Sequence, residues 1–248
     1  MEHSNSLVLI VVATFVAAGL VKGVTGMGLP TVAMGILGGL LSPVVAASLL
    51  IAPTLVTNVW QFASGSGKRA ILARLWPMTA ATFLGTFAGS FFLTSGNSQA
   101  TTAALGTVLV GYAVYMLLAR PMSVPARWQP VLSPTMGLLT GLIGGATGIS
   151  VVPVAPYLQA LGMDRDDLIQ ALGLSFTAST VALGLALAFH GAFPAANLLT
   201  SAFAIAPALA GMWLGQRLLT RISPRVFRRM FLVWLLLLGS EMLLRPLL

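Results

Sequence analysis

The chain has 248 residues, 57% hydrophobic and only 7% charged, with a mean hydropathy of +0.96. A soluble domain carries roughly a quarter charged residues, so this composition excludes one and calls for an integral membrane protein. The net charge of +8 comes from basic residues at the ends of apolar runs, which sets topology and excludes a nucleic-acid partner. With no cysteine and only His3 and His190, disulfides, thiolate chemistry and a metal centre drop out as well.

In chain order, the first apolar run, 7–20, imitates a signal peptide with Ala17, Ala18 and Gly19 at its end. Glu2 and His3 stand where Lys or Arg is required, so the run reads as a retained helix. Stretches long enough to cross about 30 Å of hydrocarbon fall near 7–24, 43–63, 73–94 and 98–119, then near 131–147, 166–190, 195–219 and 226–247. Each half also holds a short apolar run, 29–41 and 149–161. The predicted fold is all-α and polytopic: two inverted repeats of about five segments, four long helices and one short or re-entrant helix each. The repeats are residues 1–124 and 125–248.

The repeat rests on glycine. Gly19, Gly23 and Gly26 recur 118 positions later as Gly137, Gly141 and Gly144, and Gly85 and Gly89 recur 126 later as Gly211 and Gly215. GYAVYMLLARP at 111 recurs 128 later as GSEMLLRP at 239. An insertion around Met163 to Asp167 accounts for most of the drift.

Basic residues decide the topology. With the short runs left out, six lie on one side (Lys68, Arg69, Arg74, Arg120, Arg127, Arg245) and seven on the other (Lys22, Arg165, Arg217, Arg221, Arg225, Arg228, Arg229), which is no asymmetry. If each short run returns the chain, all thirteen except Arg245 share one face, twelve against one. The positive-inside rule makes that face cytoplasmic and places both termini in the periplasm of a bacterial inner membrane.

Glycine clusters weaken helices, and a helix broken inside a bilayer must have its freed backbone groups satisfied by protein, water or ligand. Gly19 with Gly23, Gly85 with Gly89 and Gly211 with Gly215 read as close helix packing. Gly26, Gly28, Gly144, Gly145 and Gly148 read as a binding site, with Thr25, Thr31, Thr147 and Ser150 supplying hydroxyls. Pro30 and Thr31 mark the start of a new half-helix, and half-helix N-termini converging near the midplane suit an anion.

Lys22 adjoins the first cluster, with Thr140 as its counterpart. It is either the fixed charge for an anionic substrate or a lysine snorkelling to the interface. PTLVTNVWQ, with Thr54, Thr57, Asn58 and Gln61, and QALGLSFTAST, with Gln170, Ser175, Thr177 and Ser179, offer uncharged donors for an oxyanion. Hydroxyls in membrane helices often bond their own backbone, whereas Asn58 and Gln61 are costlier to bury. Asp164 and Asp167 cap a helix, Glu241 pairs with Arg245, and His190 is interfacial. Trp60, Trp76 and Trp128 form the aromatic belt, and RVFRRMF at 225 contacts anionic membrane lipid. The sequence holds no intramembrane carboxylate relay for protons.

The doubled glycine motif, TNVWQ at 57 and ALGLSFTAST at 171 resemble the sulfite exporter TauE/SafE family of membrane permeases, from about Ala17 to the C-terminus. The resemblance implies a transporter of small anions, sulfite and organosulfonates among them, usually with seven or eight helices. The second copy keeps the glycine-rich pattern through Gly144, Gly145, Gly148 and Pro153. The first has Leu29, Pro30 and Gly35 in the corresponding places, which makes the half-sites unequal.

The expected function is secondary transport of a small oxyanion, outward, by alternating access, with no cofactor. The substrate-binding candidates are Lys22, Thr25, Gly26, Gly28, Thr31, Asn58, Gln61, Gly144, Gly145, Thr147, Gly148, Ser150, Ser175 and Thr177. Partners are the anion, membrane lipid and, as an admissible assembly, a homodimer. A passive anion channel and a non-transporting membrane scaffold are the alternatives. Enzyme activity is not expected, because no paired acids or nucleophile with a base is present.

Overall fold

A computed structural model describes residues 2–118, 122–193, 195–218 and 223–244. Among them the chain is helical throughout: α1 (Glu2–Thr25), α2 (Leu29–Leu40), α3 (Pro43–Ala63), α4 (Lys68–Leu93), α5 (Ser98–Leu118), a 3-10 turn at Ala126–Trp128, α6 (Gln129–Thr147), α7 (Val154–Ala160), α8 (Arg165–Phe189), α9 (Ala195–Phe203), α10 (Ile205–Leu218) and α11 (Pro224–Leu244). Among the described residues five spans are long and apolar enough to cross a membrane: those in α1, α3, α5 and α8, and Asn197–Leu218, which joins α9 to α10 across a turn at Ala204. Arg120, Arg221 and Arg245, and so the pairing of Glu241 with Arg245, lie outside the described residues.

Both predicted interruptions are present. α1 stops after Thr25, and Gly26 and Gly28 take φ of +77° and +97°, a conformation that costs other L-residues strain. Gly28 is the N-cap of α2, and Pro30 sits in that helix's first turn as expected. α6 stops at Thr147 with Gly148 as C-cap at φ +76°. Beyond it the second short run differs from expectation. Ile149 to Pro153 is irregular, with a cis bond before Pro153, and only the seven residues of α7 are helical.

The capping bonds align the two halves differently from the glycines. Thr25 and Thr147 perform the same task at the two breaks: each hydroxyl donates to the carbonyl four residues back and accepts from the N–H two residues on. Ser42 and Asp164 both cap the following helix through the N–H three residues on. Both pairs are 122 positions apart, against the 118 that the glycines suggested, and one pair lies on either side of 149–161. No insertion therefore falls at 163–167. The shift to 126 arises later, where α8 has 25 residues against 21 in α3. In this register the counterpart of Lys22 is Gly144 rather than Thr140.

Helix packing crosses between the halves. α1 lies parallel to α10, with Gly19 against Ala208 and Gly23 against Met212 and Gly215. Gly211 and Gly215 in turn face the carbonyls of Val16 and Leu20. α4 lies parallel to α6 in the same way, Gly85 and Gly89 against Leu138 and Leu142, Gly137 and Gly141 against Met78 and Thr82. A Cβ at any of these glycines would collide with the facing backbone, which is why the packing reading holds for them. α3 and α8 run antiparallel, Phe62 beside Gly173 and Ile51 beside Gly184, as do α5 and α11, where Gly106 meets Gly239.

Candidate functional site

Two cavities flank the first break. The larger, about 640 Å³, is bordered by Lys22, Thr25, Gly26, Gln61, Arg165 and Arg228 among others, and no carboxylate of the described residues lines it. Lys22 is 2% exposed although its side chain ends in an amine, and its Nζ donates to Asn58 Oδ1. A neutral amide offsets only part of the cost of withdrawing a charge from water. The carbonyl end of α1, whose last turn holds Lys22, offsets a further part.

Gln61 holds the break open. Its Nε2 donates to Gly26 O at 2.8 Å and to Ile169 O at 2.9 Å, which satisfies a carbonyl freed by the interruption and ties it to α8. Gln170 answers from the opposite helix, donating to Phe62 O at 2.8 Å and accepting from Gly67 N at 3.1 Å. The two glutamines form a reciprocal clasp where the end of α3 meets the start of α8. Asn58 Nδ2 and Gln61 Oε1 remain buried without a partner.

The smaller cavity, about 30 Å³, lies on the other side of the break, bordered by Gly28, Thr31, Thr54, Gly148, Ser150 and Ser179 together with apolar residues of α3 and α8. One half-helix start, that of α2, reaches it, along with the C-terminal cap of α6. The start of α7 does not, so the expected convergence of two half-helix N-termini on one space is not found there.

The predicted set thus divides. Lys22, Asn58, Thr25, Gly26 and Gln61 gather at the larger cavity, and Gly28, Thr31, Gly148 and Ser150 at the smaller. Gly145 packs against the backbone of Thr86 and Ser90 on α4, and Ser150 Oγ occupies the space a Cβ on Gly144 would need. Thr25, Thr147 and Thr177 bond their own helix backbones, and Ser175 Oγ is buried without a partner and borders neither cavity. Arg165 was read as a topological charge only, and Arg228 as that and as a contact to anionic lipid. Their place beside Lys22 depends on α8 and α11 meeting the end of α1, which no local spacing reports.

Broken helices around a buried lysine and a cavity define a class, the polytopic helical membrane protein. Within it the chain belongs to the sulfite exporter TauE/SafE family, whose family model, "Sulfite exporter TauE/SafE", matches residues 11–242. Membership makes it a member of a membrane transporter family. No curated protein and no solved structure gives a significant match.

Proposed function

We propose that the protein is a secondary transporter that moves a small oxyanion, sulfite, an organosulfonate or a related organic anion, outward across the bacterial inner membrane by alternating access. The observation that carries this reading is Lys22: a buried ammonium, on a cavity of about 640 Å³, with an amide oxygen as its partner and no carboxylate in the lining. An anion entering that cavity supplies the missing counter-charge. Arg165 and Arg228 at the mouth raise the local anion concentration, while Asn58 positions the ammonium.

The orientation follows the same logic. Gly67, next to Lys68 and Arg69, is bonded by Gln170 near Arg165, and Arg74 donates to Gln129 beside Arg127. Gly23 packs on Gln216, next to Arg217, and Arg228 shares the cavity with Arg165. The described basic residues therefore collect at one end, and the positive-inside rule makes it cytoplasmic. Corresponding helices that run antiparallel, α3 with α8 and α5 with α11, support an inverted repeat about an axis in the membrane plane, with the larger cavity opening inward.

The test is sulfite flux in proteoliposomes. Wild-type protein should show saturable counterflow, and Lys22→Met should lose roughly tenfold or more of the rate. Flux without counterflow would mean a channel, and undiminished flux in Lys22→Met would remove Lys22 from the site.

A further inference from the structure

The smaller cavity has a hydroxyl arrangement that can be followed proton by proton. A hydroxyl has one hydrogen to give and two lone pairs. Thr86 spends its hydrogen on Thr82 O at 2.8 Å, so in the contact with Ser179 Oγ at 3.0 Å it is Ser179 that donates. Ser179 then has no hydrogen left, so in its contact with Ser150 Oγ the donor is Ser150. Thr180 donates to Phe176 O at 2.7 Å. The hydrogens of all three cavity hydroxyls on this side are committed to other groups, and what remains for the interior is lone pairs. A separate observation leaves one more oxygen open to a ligand: Thr54 is 3% exposed, borders the cavity, and its Oγ1 has no partner, so both its lone pairs are free.

We propose that this cavity is a sodium site, in which Thr54, Ser150, Ser179 and Thr180 give neutral oxygens to a dehydrated monovalent cation. Its volume of about 30 Å³ exceeds the roughly 10–15 Å³ that one water needs. It falls an order of magnitude short of the ~300 Å³ at which pockets for organic ligands begin. A monatomic ion fits and a sulfur oxyanion does not. Hydroxyl oxygens are hard, uncharged ligands, which makes binding weak and suits an alkali cation better than a divalent one. The carbonyl end of α6 stops at Gly148 on the cavity wall and adds partial negative charge. The start of α2 opposes it with the N–H groups of Leu29 and Thr31, less the one donor that Pro30 removes, so the hydroxyl oxygens carry the site. The two cavities then take opposite charges on either side of the Gly26 to Gly28 break, an arrangement in which cation binding can bias the break that frames the anion. That last role rests on the transporter reading; the site itself does not.

The full-length protein in detergent is heated in sodium chloride or choline chloride at constant total chloride, with potassium and lithium chloride as further arms. Sodium should raise the unfolding temperature saturably over choline. Thr54→Val and Ser150→Ala should each weaken the sodium midpoint about tenfold or more. Equal curves in sodium, potassium and choline overturn the proposal, as does a sodium effect that both variants leave intact. The wild-type titration decides even where a variant does not fold. Stabilisation by sulfite in choline without any sodium effect removes the sodium site and leaves the transporter reading standing. A sodium effect without response to any anion does the reverse.

Discussion

Lys22 sits where a residue of either charge is costly, and evolution of a merely stable bundle would have placed methionine there. Removing a buried, incompletely paired charge costs no side-chain hydrogen bond except the one with Asn58, and methionine keeps most of the packed stem. Lys22→Met should therefore unfold at the wild-type temperature or above it while transport is lost, a separation that thermal melts and flux assays on one preparation will show. Gln61→Leu should behave oppositely, because it strands the carbonyls of Gly26 and Ile169. Each stranded group costs about 1–3 kcal/mol, read as a clear fall in melting temperature. Of the single residues, Asn58 and Gln61 were legible from sequence because an amide in a membrane helix is too expensive to be idle. Hydroxyls were not: Thr25, Thr147 and Thr177 turned inward on their own backbones, and no sequence signal separates them from Thr54, whose oxygen has no partner.

The glycines divide by what faces them. On α1 and α6 they let a second helix lie against the backbone, and Gly23→Leu or Gly145→Leu would drive a side chain into the main chain of α10 or α4. Overpacking costs roughly 1–3 kcal/mol where neighbours can yield, and backbone cannot, so either variant should give lower yield and a lower melting temperature at size-exclusion elution unchanged for the surviving fraction. Helix ends were readable because Pro30, Pro43 and the Thr-Gly pairs at 25 and 147 are punctuation. The register was misread for a physical reason. Glycines spaced by four look the same after sliding one helical turn, and the packing seams extend just such a spacing up to each break. Only the capping bonds of Thr25, Thr147, Ser42 and Asp164, which have no such periodicity, pin the correct alignment.

At the scale of the whole molecule, the absence of cysteine makes topology directly measurable. Ser66 and Ser98 are exposed, in the α3–α4 turn and at the start of α5. An impermeant thiol reagent added to intact cells should spare Ser66→Cys and label Ser98→Cys, with the pattern reversed in inside-out vesicles; the same side for both would refute the proposed crossing count. The sequence announced the membrane and the helices, since both follow from hydropathy. It was silent on which helix meets which, because lipid-facing and protein-facing apolar positions carry the same residues. That pairing has a consequence for assembly. α1 finds its partner groove on α10, and α6 finds its own on α4, so the amino-terminal and carboxyl-terminal stretches are woven together like clasped fingers. A gene severed within codons 122–125 should yield two polypeptides that are each destroyed by cellular proteases when made alone, yet survive and copurify when made together.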